Sequence, residues 1–370
     1  MKKRNKVFIF LLFPISILLN YVASKNPLFI EKYYTQCFNK IIVQVLSNLS
    51  GIFPFSIYEV IVYVIIMSII IFFIYTLHLI INHRSKLIRF IKSSIFNILS
   101  LISITYFLFI ILWGLNYNKL PLESILIRQY NINNNTSLTR INHDISDLKK
   151  LYEFLIEKTN ESKNLAVNDK NNIVNYKNTI NRAHLGFDAI SHIIPNLDGK
   201  YSNPKYILSS KLMCYTGITG IYFPFTGESN VNIAIPHTSL SSTILHEMAH
   251  QRGYASEDEA NFIAYLSAIN HPDKDFVYSG YRLALSYTAL TLKNIDFNAY
   301  TKLNQNLSNE VINDIKYNSK FWSKYSGKIN EISDNINNSY LKSNGIKEGT
   351  ENYSKMVNLL LTYYSLYGFN

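Results

Sequence analysis

Residues 241–262 read Ser241-Ser242-Thr243-Ile244-Leu245-His246-Glu247-Met248-Ala249-His250-Gln251-Arg252-Gly253-Tyr254-Ala255-Ser256-Glu257-Asp258-Glu259-Ala260-Asn261-Phe262. His246 and His250 are four positions apart, so on an α-helix both imidazoles leave one face and can share a metal ion. Glu247 turns toward the open side of that metal. There its carboxylate can hold a water, take its proton and pass it to a leaving group. Two imidazoles and a carboxylate, with one position left for water, suit catalytic zinc. Gly253 gives the first helix a sharp stop, and Ser256 with Glu259 three residues later is a capping-box signature that starts a second helix.

A zinc site needs a third protein ligand, and the second helix offers Glu257, Asp258 and Glu259. Glu257 and Asn261 are four apart on one face, beside Ala260 and Ala264, which are small enough for this helix to pack close to the first. Glu257 can then ligate while Asn261 hydrogen-bonds a ligand from behind. Glu259 is the alternative ligand, with a capping role competing for it. Acids at a helix start also simply favour its positive end.

Upstream, Ile218 to Phe223 and Asn230 to Ile235 are short β-branched and aromatic runs separated by Thr226-Gly227-Glu228-Ser229, which predicts a hairpin. Val231, Ile233 and Ile235 alternate with Asn230 and Asn232, so one strand face is apolar and the other polar. Helices are expected over 137–163 and 176–194, with a loop at 168–172, and from Ser239 to the end with a break at Gly345 to Gly349. His184 and His192 are eight apart, too far to share a metal unaided. His237, Tyr222 and Tyr281 are candidate oxyanion donors. There is no phosphate-binding loop, nucleophile elbow or dinucleotide fingerprint.

The first third of the chain differs in kind. Val7–Ala23, Ile57–Ile81 and Ser93–Leu115 each approach the roughly 20 apolar residues that cross a bilayer. Of the formal net charge of +11, residues 1–115 carry 11 Lys/Arg against two Asp/Glu, and residues 116–370 carry 25 against 23. The basic excess thus sits in the most apolar part, around Lys2–Lys6 and Arg84–Lys92. That is the pattern of membrane flanks and loops, and it argues against a nucleic-acid partner. Both basic clusters are expected inside, so the N-terminus is cytoplasmic, three spans follow, and everything beyond about Asn116 lies outside. The first segment is read as a retained anchor and not as a cleaved signal peptide. Residues 28–49 predict an amphipathic helix, with Ile30, Tyr33, Tyr34, Cys37, Phe38, Ile41, Val45 and Leu49 on its apolar face. Two cysteines, Cys37 and Cys214, exclude a disulfide-built scaffold.

His246-Glu247-Met248-Ala249-His250 resembles the zincin metallopeptidase motif. Glu257-Asp258-Glu259-Ala260-Asn261 resembles the Glu-x-x-Ala-Asp/Asn signature of gluzincins, shared by membrane-embedded and antirepressor-cleaving peptidases. The resemblance implies His246, His250 and Glu257 as zinc ligands, Glu247 as base and Asn261 behind the ligands. In zincins a peptide substrate adds as a strand to an exposed sheet edge, and the run 230–235 is the natural edge here. Only six residues separate His250 from Glu257, shorter than the usual gluzincin spacing. Gly253 is placed as in metzincins, yet Ser256 stands where their third His would fall. The whole layout is similar to an uncharacterised bacterial family of membrane-anchored metallopeptidases.

The expected fold is mainly α: three N-terminal transmembrane helices (about 7–23, 57–81 and 93–115) and an α+β zincin-like outer domain with a small hairpin or sheet beside the motif helix. The expected division is 1–115 membrane domain, 116–200 helical extracytoplasmic segment and 201–370 metallopeptidase domain. The expected function is a zinc-dependent peptidase anchored in the cell membrane and acting on envelope proteins or peptides. A non-catalytic membrane protein with a structural or sensory metal, and a zinc hydrolase of a non-peptide bond, are the alternatives.

Overall fold

A computed structural model describes residues 8–168, 175–194, 196–344 and 353–369. Lys2, Lys3, Arg4 and Lys6, most of the expected loop at 168–172, and the break at Gly345 to Gly349 lie outside these described residues. The chain is mainly helical with one small sheet. By its contacts it divides into two compact units, Met1–Lys119 with Phe223–Glu228, and Leu120–Tyr222 with Ser229–Asn370.

The first unit contains α1 (Leu12–Ser24), α2 (Lys40–Gly51), α3 (Ile57–Asn82) and α4 (Arg84–Leu112). Among the described residues two helices, α3 and α4, are long and apolar enough to cross a membrane. The pair Phe8–Ser24 and Pro27–Gly51, bent by 99°, makes a third if counted as one broken span. Only His83 separates α3 from α4, because α4 already begins at Arg84 within the basic cluster. Lys and Arg are good helix formers, so the basic cluster winds on as helix.

Residues 28–49 are helical, but Ile30–Asn39 is π-wound before α2 begins. The face it packs inward is mixed: Ile30, Tyr34 and Val43 are buried together with Glu31, Thr35, Asn39 and Ser47, whereas Tyr33, Cys37, Phe38, Ile41, Val45 and Leu49 of the expected apolar face are exposed. Thr35 and Asn39 are satisfied by Asn116 and by backbone, as buried polar groups usually are. Thr35 donates to Asn116 Oδ1 (2.9 Å), Asn116 Nδ2 to Asn39 Oδ1 (3.1 Å), and Asn39 Nδ2 to the Leu112 carbonyl (2.6 Å). The hairpin turn belongs to this unit as well. The Glu228 carboxylate accepts the N–H groups of Ile57 (3.1 Å) and Tyr58 (3.0 Å), which α3 itself leaves without partners.

The second unit holds α5 (Leu122–Asn134), α6 (Ile145–Asn168), α7 (Tyr176–Arg182), α8 (His184–Ile190), α9 (His237–Gln251), α10 (Glu257–Ile269) and α11 (Lys274–Ile295). It continues with α12 (Phe297–Asn304), α13 (Asn309–Ser323), α14 (Lys328–Ser343) and α15 (Tyr353–Tyr367). The helix expected over 176–194 breaks at Ala183 into α7 and α8. One hydrophobic cluster joins Leu126, Leu155 and Ile190 from before residue 200 to Leu245, Phe262 and Leu360 from after it. At its centre lies α10, whose Phe262, Ile263, Ala264, Tyr265 and Leu266 are all fully buried. A helix apolar on nearly every side is a buried helix, and this one carries Glu257 at its first turn.

The sheet has the order β1-β3-β2, with β1 at Lys205–Tyr206, β2 at Gly220–Phe223 and β3 at Glu228–Val231. β1 runs parallel to β3, with Lys205 opposite Asn230 and Tyr206 opposite Val231. The strand expected as the free edge is therefore the middle one, and β2 takes an edge position. A two-residue strand such as β1 leaves no readable alternation, so its pairing is invisible in sequence. The polar side of β3 is buried too: Asn230 donates to the Ile221 carbonyl (3.3 Å) and Asn232 to that of Ile218 (3.1 Å). Cys37 and Cys214 are both free thiols.

Candidate metal centre

The two motif helices are joined by a turn that the sequence dictates. α9 ends at Gln251, and Gly253 takes φ +85°, a conformation costly for any residue with a β-carbon. The chain doubles back there, so the Tyr254 carbonyl returns to His250 Nδ1 at 2.7 Å. α10 then starts at Glu257 after an extended Ser256. The expected capping box does not form. Ser256 makes no side-chain cap, and Glu259 instead accepts the Leu122 N–H at 2.7 Å, where α5 begins. A partner 137 residues away in sequence captured the side chain that local spacing assigned to the cap.

His246, His250 and Glu257 each offer a ligand atom, all within 4.8 Å of one another. His246 Nε2 lies 3.1 Å from Glu257 Oε2, and His250 Nε2 lies 3.7 Å from Glu257 Oε1. Ligands at about 2.0–2.1 Å from a tetrahedral zinc stand roughly 3.3 Å apart, so the trio has the spacing of a metal site. The ring orientations agree with this. Asn261 Nδ2 donates to the Tyr287 hydroxyl (2.8 Å), which leaves Asn261 Oδ1 to accept from His246 Nδ1 (2.9 Å). The Tyr254 carbonyl can only accept, so His250 Nδ1 carries its proton as well. Both rings thus turn Nε2 toward Glu257, held from behind as metal-ligating imidazoles are. The donor set fits a divalent transition metal, and nothing in it selects zinc over its neighbours.

Electrostatics favour a cation between these groups. Burial works against protonation of His250, but the Glu257 carboxylate outweighs it and raises the imidazole pKa to about 9. Partial burial of Glu257 opposes its charge, yet His250 and His246 hold its carboxyl well below the usual range. Its side chain remains 44% exposed, so the carboxylate sits at the mouth of the site.

Glu247 occupies a different environment. It is buried beside the histidines, and burial pushes its carboxyl pKa up against the lowering effect of His246, His250 and the Tyr222 N–H. Among the described residues its Oε2 has no hydrogen-bond partner. The Ser229 hydroxyl donates to the Glu247 carbonyl (3.0 Å), and a β-carbon at Gly220 on β2 would collide with the Glu247 carboxylate. Gly220 is thus the space Glu247 occupies. A Gly220→Ala variant should therefore be destabilised by about 1–3 kcal/mol, the usual cost of overpacking a filled site. Thermal melting checks this, and an unchanged melting temperature would show that Glu247 does not occupy that position.

The structure brings His246, His250, Glu257, Glu247 and Asn261 together. Other sequence candidates lie elsewhere. His237 is exposed at the start of α9, and Tyr281 packs edge-on against Phe154 and Tyr265. Tyr222 contributes its backbone N–H to Glu247. His184 bonds the Asn181 carbonyl (3.0 Å) and is not in the metal trio. Tyr287 was not legible: nothing in its local sequence ties it to Asn261, 26 positions earlier. It lines a cavity of about 370 Å³ together with His246, Glu257 and Asn261.

The family model described as "Protein of unknown function (DUF3810)" matches residues 34–361. No curated protein and no solved structure matches the chain.

Proposed function

We propose that this chain, which belongs to the DUF3810 family, is a membrane-anchored zinc-dependent peptidase with its site outside the cytoplasmic membrane. The observation that carries the reading is the pairing of two unlike carboxylates with one pair of histidines. Glu257 faces both Nε2 atoms, while buried Glu247 keeps an oxygen without a partner beside them. A purely structural metal site has no use for the second carboxylate; hydrolysis needs it as a base.

In this reading His246, His250 and Glu257 hold the ion, and Asn261 and the Tyr254 carbonyl orient the imidazoles. Zinc bound there supplies Lewis acidity toward water and the scissile carbonyl. Glu247 receives the proton of the attacking water and delivers it to the departing amine. Its raised pKa suits both halves of that transfer. The Tyr287 hydroxyl, on the wall of the same cavity, would donate to the carbonyl oxygen as it gains charge. The outer unit would be zincin-like, and β2, the edge strand whose Gly220 lies against Glu247, would be the one for a peptide to pair with.

The membrane reading rests on the apolar helices and their charge. No residue in the most apolar stretch of α3 is buried, as expected of a lipid-facing helix. With three spans and the basic clusters inside, the second unit would lie outside the cytoplasmic membrane, where its substrates would be envelope proteins or peptides. The test is made on the full chain in detergent or lipid discs. The purified protein should carry about one zinc per chain and cleave unstructured peptides. A chelator should abolish cleavage and added zinc restore it. Full activity after the metal is stripped would overturn the reading.

A further inference from the structure

The cavity beside the metal trio extends along two helices. On α9 its wall is Thr238, Ser239, Ser242, Thr243 and His246; on α11 it is Ser279, Arg282, Leu283, Ser286 and Tyr287. Both sets follow helical spacing, so each is one face of its helix. Ser242 and Ser279 form the floor, where the Ser242 N–H donates to the Ser279 hydroxyl at 3.0 Å and that hydroxyl to Ser242 Oγ at 3.0 Å. Small side chains keep the trough open between closely packed helices.

Arg282 marks the end away from the metal trio. Its guanidinium donates to the Thr238 hydroxyl, and Asn318 from α13 donates to Ser239 Oγ (3.1 Å) beside it. Thr238 precedes His246 by eight residues, which is about 12 Å of helix. Among the described residues no carboxylate forms an ion pair with Arg282. Asp314, the carboxylate whose charge acts on it through space, is already held by Lys163 (2.6 Å) and by the Tyr278 hydroxyl (2.6 Å). Burial works against the guanidinium charge more than Tyr278 and Asp314 support it. A partly buried cation on a cavity wall, without a counter-ion of its own, calls for an anionic ligand. Glu257 is the one carboxylate among the lining residues, and it already faces the histidines.

We infer that the trough is a carboxylate-binding subsite, in which Arg282 receives an acidic side chain or a free C-terminal carboxylate of the substrate peptide. The proposal rests on the peptidase reading and gives it a substrate class. Twelve ångströms of helix match about three to four extended residues, so the recognised carboxylate lies that far from the scissile bond. Arginine suits the task because its planar fork binds a carboxylate through two parallel hydrogen bonds. The hydroxyls of Thr238 and Ser239 frame the same end.

The test measures binding, so that it does not depend on turnover. Synthetic hexapeptides are titrated into zinc-loaded, full-length Glu247→Gln protein. One series carries Glu or Gln at each position with an amidated C-terminus; another carries Gln throughout with a free or an amidated C-terminus. The expected result is that one Glu position, or the free C-terminus, improves affinity about ten-fold or more. The two series tell a side chain from a chain end. Arg282→Met should erase the preference, Arg282→Lys should keep part of it, and chelation of the zinc should leave it in place. Equal binding of acidic and neutral peptides overturns the proposal with no variant needed. So does a preference that survives Arg282→Met, one that vanishes with the zinc, or no peptide binding at all. Selective binding without cleavage by protein carrying native Glu247 supports the subsite and removes the peptidase reading alone.

Discussion

Glu247→Gln should leave zinc bound at full stoichiometry and lower peptide hydrolysis by about 10³-fold or more. Gln has nearly the shape of Glu, so it fills the space beside Gly220 without disturbing the histidines. What it loses is the ability to take a proton, and a positioned general base contributes about 10²–10⁴-fold. Glu247 is not among the three groups whose ligand atoms converge, so the metal should not notice the change. Folding should not suffer either, since the substitution removes a buried charge with one unpartnered oxygen. Metal content, thermal melting and hydrolysis measured on one preparation separate these effects. Retained activity would sink the mechanism; lost zinc would make Glu247 a ligand.

The second large effect concerns which acid completes the trio. Glu257→Ala should weaken zinc binding by at least about 100-fold, the upper range seen even for residues that only support ligands. Asn261→Ala should cost about 10–100-fold, because His246 Nδ1 loses the partner that orients its ring. Glu259→Ala should leave zinc affinity unchanged and lower stability by about 1–3 kcal/mol, through the orphaned Leu122 N–H at the start of α5. Competition with a calibrated chelator reads the first two, and thermal melting the third. The reverse pattern, with zinc lost in the Glu259 variant, would transfer the ligand role to Glu259.

How legible the site was follows from the range of each interaction. His246, Glu247 and His250 lie on one turn and a half of helix, and Gly253 marks its end; local periodicity carries all of that. Glu257 and Asn261 share a face of the next helix for the same reason. Spacing was a poor guide to Glu259, because the N–H that holds it comes from Leu122. It also misplaced the sheet edge, because β1 supplies only two residues to cover β3. Around residues 28–49 most of the apolar stripe is exposed while Ile30 and Tyr34 of it are buried, since Thr35 and Asn39 on the other side found partners in Asn116 and Leu112 far along the chain.

By itself the sequence determined the helical character, the apolar segments with their basic flanks, and a His-Glu-x-x-His helix followed at once by an acidic one. Each of these is written in neighbours within a few residues, where helical period and turn chemistry operate. Only the tertiary structure decided that Glu257 and not Glu259 faces both imidazoles, that Asn261 and the Tyr254 carbonyl set their orientation, and that Gly220 makes room for Glu247. It alone placed Arg282 and Tyr287 in the same cavity as His246. These are meetings between elements tens of residues apart, settled by how helices pack around the buried α10, and no local pattern encodes them.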